Sequence, residues 1–103
     1  MRAKLVWTPQ AREDLLDIYC TIGLDNFAAA ERVFTTIEAR AQSLKDYPRL
    51  GPRRPDIRPT TRVLVEKPYL ILYETHPDTD EGRISSVEIV RIVDGRSDLR
   101  NLN

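Results

Sequence analysis

Between Pro48 and Pro59 the chain reads Pro-Arg-Leu-Gly-Pro-Arg-Arg-Pro-Asp-Ile-Arg-Pro, four prolines in twelve positions. Each proline fixes φ and removes an amide donor, so the stretch excludes a helix and any central strand. An extended loop is expected there. It divides the chain into two parts of different periodicity. Before it, apolar residues recur at helical spacing; after it, they alternate or run together in short β-branched segments.

The first part opens with a short apolar stretch over residues 3–7, closed by Thr8-Pro9. Threonine at an N-cap before proline at the first helical position is a strong start signal, because the hydroxyl takes an orphan amide and proline has none to lose. Ala11, Leu15, Ile18, Tyr19 and Ile22 then form one stripe, and Gly23 is expected to end the helix. Asp25 or Asn26 caps a second helix, whose stripe is Ala30, Val33, Phe34, Ile37, Ala41 and Leu44, with Pro48 as the stop. So short a connection predicts an antiparallel hairpin.

Three strands are expected in the second part: Arg62 to Glu66, Tyr69 to Thr75 and Arg83 to Val93. Lys67-Pro68 is a tight link, and His76 to Gly82 a polar turn. The near-continuous apolar run from Tyr69 suits a strand at the centre of the sheet. The fold class is therefore α+β, in the order β-α-α-β-β-β, with a helical hairpin on one face of a mainly antiparallel four-stranded sheet. Residues 1–103 are expected to form one domain, since about 100 residues support a single modest core.

Composition narrows the function classes. The 16 basic and 16 acidic side chains cancel, and no apolar run approaches a membrane span of roughly 20 residues. The first residues lack the apolar segment of a signal peptide, and a single cysteine makes no internal disulfide, so a cytoplasmic location is expected. No cofactor is expected. Nor is a metal: Cys20 and His76 alone do not make a four-ligand zinc site, and Asp78, Asp80 and Glu81 read as a solvated turn. Cys20 reads as a small buried residue without a base. The four glycines are scattered, with no phosphate-cradling loop.

The arginines are more informative. Residues 49–62 hold five of them against Asp56 alone, a local charge of +4, and Arg83, Arg91, Arg96 and Arg100 follow. Guanidinium forks suit carboxylate and phosphate alike. They do not shuttle protons at neutral pH. Cleavage of RNA needs a proton acceptor and a donor, yet residues 90–103 contain no His, Tyr or Lys. His76 falls in a turn.

The string Trp7-Thr8-Pro9-Gln10-Ala11-Arg12-Glu13-Asp14-Leu15-Leu16-Asp17-Ile18-Tyr19 resembles the first strand and helix of the RelE/ParE toxin superfamily. Likeness continues through Pro48-Arg49-Leu50-Gly51-Pro52-Arg53-Arg54 and Tyr69-Leu70-Ile71-Leu72-Tyr73 to Ile89-Val90-Arg91-Ile92-Val93-Asp94-Gly95-Arg96-Ser97-Asp98-Leu99. The resemblance implies a toxin of a type II toxin–antitoxin module. RelE-like members cleave mRNA in the ribosomal A site and tend to carry an arginine where this chain has Leu70, with a tyrosine or histidine in the tail. ParE-like members instead inhibit DNA gyrase. Both departures favour the ParE-like branch. Its members often have a histidine where this chain has Asp94, which leaves a non-toxic antitoxin-binding member as a further alternative.

On this reading no catalytic residue is assigned, and Arg91, Arg96, Arg62 and Arg83 are the expected target-binding residues. Pairing of Arg96 with Asp94 or Asp98 is the structural alternative. The resemblance implies a ParD-like antitoxin as partner and DNA gyrase as target, without specific DNA binding or membrane contact. Assemblies of heterotetramer size or larger are left open. For the ribonuclease alternative, Asp98 is the candidate carboxylate.

Overall fold

Thr8 and Pro9 begin the first helix as their chemistry dictates. A computed structural model of the chain describes residues 2–96. The Thr8 hydroxyl accepts the Ala11 amide at 3.1 Å, and helix α1 runs Pro9–Gly23 after strand β1, Lys4–Trp7. The alternative caps of the second helix resolve to Asn26, whose side chain accepts the Ala29 amide at 3.0 Å. Helix α2 spans Phe27–Ser43, ending before Pro48 as the chain tightens through Leu44–Tyr47.

Strands β2 (Arg62–Glu66), β3 (Tyr69–His76) and β4 (Ser86–Asp94) follow. The sheet order is β1-β4-β3-β2, with β1 parallel to β4 and the other neighbours antiparallel. The element order and the mainly antiparallel sheet are those expected. β4 starts three residues later than Arg83, because residues 83–85 belong to the connection and Ser85 donates its amide to the His76 carbonyl at 2.8 Å.

The helices cover one face of the sheet. Ala11, Leu15, Ile37, Ala41 and Leu44 pack on Ile71, Tyr73, Val87 and Ile89, all essentially without solvent exposure. The alanines let the helices come close, and Tyr19 ties them together by edge-to-face contacts with Phe27 and Phe34, at 6.2 and 5.6 Å between ring centroids. On the opposite face Val63, Leu72 and Val93 form a second cluster, against which the proline-rich loop places Ile57. Two covered faces account for the unbroken apolar run of β3.

A register shift interrupts the β3–β4 ladder at Leu72 and Tyr73, which pair with Arg91 and Ile89. The extra residue on β4 leaves both Ile89 and Ile92 in the helix-facing core and turns Arg91 towards α1.

Candidate functional site

The four arginines expected to face a target fall into different environments. Arg91 donates from Nε and Nη2 to the two carboxylate oxygens of Asp14, at 2.8 and 3.2 Å. Asp14 also accepts the Ile92 amide at 3.0 Å and the Gln10 side chain at 3.0 Å. That fork pushes the Arg91 pKa up, and it fastens α1 to β4. Arg62 is 6% exposed, donating to the Gly51 carbonyl at 3.0 Å and to Asp80 at 3.3 Å. The Arg62 side chain is buried and that of Arg91 part-exposed. Arg62 and Arg91 each fasten one element of the chain to another through a carboxylate.

Arg83 is exposed on the connection before β4, and Arg96 is exposed on the turn after it. Nine residues of strand lie between, roughly 30 Å of extended chain. The two therefore do not form one patch. About half of the +4 on the loop is offset from outside it by Asp78 and Asp80, and its arginines are held at close range. Arg49 donates to the Thr79 and Gly82 carbonyls, Arg53 pairs with Asp78 at 2.7 Å and Asp80 at 2.9 Å, and Arg54 with Asp56. The acidic turn expected to be merely solvated is a clamp on this loop, reached only through the fold. The arginine hydrogen bonds hold Asp80 and Asp56 below the ordinary carboxylate range.

Among the described residues, Arg96 is the most exposed of the ion-paired arginines. Its side chain is 79% exposed. The guanidinium spans both oxygens of Asp94, and its backbone amide donates to the same carboxylate at 2.9 Å. These bonds bring the Asp94 pKa down to about 2. Gly95 seats the turn by donating to the Pro68 carbonyl at 2.7 Å, and a Cβ there would stand 3.0 Å from that oxygen. Of the two partners expected for Arg96, Asp94 is the one present; Asp98, Arg100 and the rest of the tail lie outside the described residues.

Beside Arg96 and Asp94 a groove of about 390 Å³ runs along α1, floored by Ile18 and Ile22 and closed by Tyr69. Tyr69 also lines a second cleft of about 250 Å³, between α2 and the β2–β3 turn, with Arg32, Val33 and Lys67. The two clefts meet at one side chain, each with an apolar floor and a rim of mixed charge, Arg96 with Asp17 and Asp94 in the first and Arg32 and Lys67 with Glu66 in the second. Periodicity marked Tyr69 only as the start of a strand; its place between two clefts depends on how the helices lie over the sheet. His76 is remote from this end. It pairs with Ser86, whereas Tyr69 pairs with Asp94, at opposite ends of the β3–β4 ladder. Cys20 is exposed on α1, not buried as expected, because it lies outside the core-facing stripe.

The family model for the ParE toxin of the type II toxin–antitoxin system parDE matches residues 5–99. The chain belongs to the ParE toxin family. Among curated relatives, Toxin ParE3 of Caulobacter vibrioides is 38% identical over 63 residues, which is 61% of this ParE-family chain and 56% of that protein. The match thus spans little more than half the relative's length. A solved structure described as the chromosomal ParDE TA system from P. aeruginosa superposes with a TM-score of 0.72 at 24% identity, covering 90% of this chain and 96% of that one. That likeness establishes a common ParE fold. Among the described residues no helix is long and apolar enough to cross a membrane.

Proposed function

We propose that this chain is a ParE toxin that inhibits DNA gyrase in the cytoplasm and is held inactive by a ParD-like antitoxin. The observation that carries the reading, beside family membership, is the separation of Arg96 from His76. They stand at opposite ends of a ladder of about seven residue steps, roughly 23 Å. An anion held at Arg96 is out of reach of the imidazole, so His76 does not serve proton transfer there. Arg96, with the exposed Arg83 as a separate outlying contact, is the target-facing cation of this proposal.

The antitoxin occupies the clefts on either side of Tyr69. Ile18, Ile22 and Val33 offer an apolar floor, and Arg32, Lys67 and Arg96, interspersed with Asp17, Glu66 and Asp94, a rim of mixed charge. That combination suits an amphipathic segment that folds on binding. Covering Arg96 in the same step neutralises the toxin, and an assembly of heterotetramer size or larger follows if the antitoxin dimerises.

Induction in a bacterial host tests the reading. The expected result is growth arrest with a DNA-damage response and intact transcripts, relieved by co-expression of the adjacent antitoxin frame. One observation favours a second reading, ribosome-dependent mRNA cleavage: the Tyr69 phenol lines the same groove as Arg96. Codon-phased cuts in primer extension, lost in Tyr69→Phe, would establish that reading instead.

A further inference from the structure

Glu74, His76 and Glu88 lie on the face of the sheet that the helices do not cover. Glu74 and His76 are two residues apart on β3, so their side chains share a face. Glu88 is the direct cross-strand partner of Glu74. The register thus sets two like charges opposite each other, an arrangement that repels. His76 Nε2 is 3.2 Å from Glu88 Oε1, and one ligand atom from each of the three residues lies within 4.8 Å of the others. The Thr60 hydroxyl donates to Glu74 Oε2 at 3.0 Å, orienting that carboxylate from outside the cluster.

We propose that these three side chains bind one divalent transition-metal ion, with zinc as the best match. Zinc takes imidazole nitrogen and carboxylate oxygen at roughly 2.0–2.2 Å, so tetrahedral ligands stand about 3.3 Å apart. The His76–Glu88 pair already has that spacing. Glu74 closes the remaining distance by a rotation about its flexible side chain, and solvent completes the fourth position. The imidazole selects against magnesium and calcium, which prefer oxygen alone. His76 is half exposed and Glu88 about a third exposed, so an ion enters directly from solvent. The ion offsets the repulsion between the glutamates and ties the end of β3 to the start of β4.

The cluster escapes a search for four-ligand sequence spacing because Glu88 joins Glu-x-His only through strand pairing. The proposal stands apart from the toxin reading and survives or fails independently of it.

Calorimetric titration of zinc into the untagged full chain tests it, together with thermal melts. One equivalent is expected to bind, and free zinc at about 100 times its dissociation constant is expected to raise the midpoint on the order of 10 °C. Both effects are expected to vanish in His76→Ala and in Glu88→Gln and to persist in Cys20→Ser, with magnesium producing neither. Glu88→Gln keeps the side-chain shape, and circular dichroism confirms that each variant is folded. Absence of binding to the natural chain, binding that survives both ligand substitutions, or loss in Cys20→Ser would each overturn the proposal.

Discussion

Asp14 of α1 and Arg91 of β4 are joined by a two-pronged ion pair, while the same carboxylate takes the Ile92 amide. One aspartate thereby fixes a helix to the central region of the sheet. The side chains are 9% and 23% exposed respectively, so the pair is screened less than a surface contact. Removing either partner strands the other. Asp14→Ala and Arg91→Ala are each expected to cost about 2–3 kcal/mol, below the usual range for a fully buried pair because Arg91 is part-exposed. Urea denaturation of both single variants and the double variant checks this, the double costing clearly less than the two singles together.

Arg96 should behave oppositely. Its pair with Asp94 is exposed, and exposed pairs add little to stability. Arg96→Ala is expected to leave the thermal midpoint essentially unchanged while toxicity in an induction assay falls sharply. A large drop in midpoint would make Arg96 a structural residue instead.

The same pair has a pH signature. The Asp94 pKa, brought down to about 2 by the Arg96 side-chain and backbone bonds, lies below the value of about 3.9 expected in an unfolded chain. A depressed carboxylate stabilises the native state above its unfolded pKa and loses that contribution as pH falls through the folded value. The contribution of this pair, kept small by solvent screening, is therefore constant above about pH 5 and fades between roughly pH 4 and 2. Carboxyl-carbon NMR is expected to show Asp94 titrating at about 2, and back towards the ordinary range in Arg96→Ala.

Gly51 marks the tightest approach in the proline-rich loop. Its amide meets the buried Tyr73 hydroxyl at 2.8 Å, and a Cβ would stand 2.5 Å from the Val63 carbonyl oxygen. Tyr73→Phe leaves that amide unpaired and is expected to cost about 1–3 kcal/mol. Gly51→Ala drives a side chain into backbone that has nowhere to move, so the larger loss is expected there. Chemical denaturation of the two variants gives the order.

How far local chemistry reads through to structure differs by element. Thr8-Pro9 and the helical stripes defined both helices, since capping and periodicity are short-range effects, and the Pro48–Pro59 run marked the loop. The parallel pairing of β1 with β4 has no local signature. Nor do the fates of Arg62 and Arg91: a guanidinium on a strand looks the same in sequence whether solvent or a carboxylate awaits it. Arg91 turns inward because of the register shift opposite Leu72 and Tyr73. Asp78 and Asp80 clamp Arg53 from 25 and 27 residues away, a relationship only the folded chain creates.

The exposed, Asp94-paired Arg96 at the end of this sheet is proposed to serve inhibition of gyrase rather than cleavage of RNA. Addition of the purified chain to a gyrase supercoiling reaction tests it most directly. The account predicts that supercoiling stops, that Arg96→Ala weakens the effect, and that the antitoxin abolishes it. Undisturbed supercoiling by material that cuts messenger on translating ribosomes would contradict it.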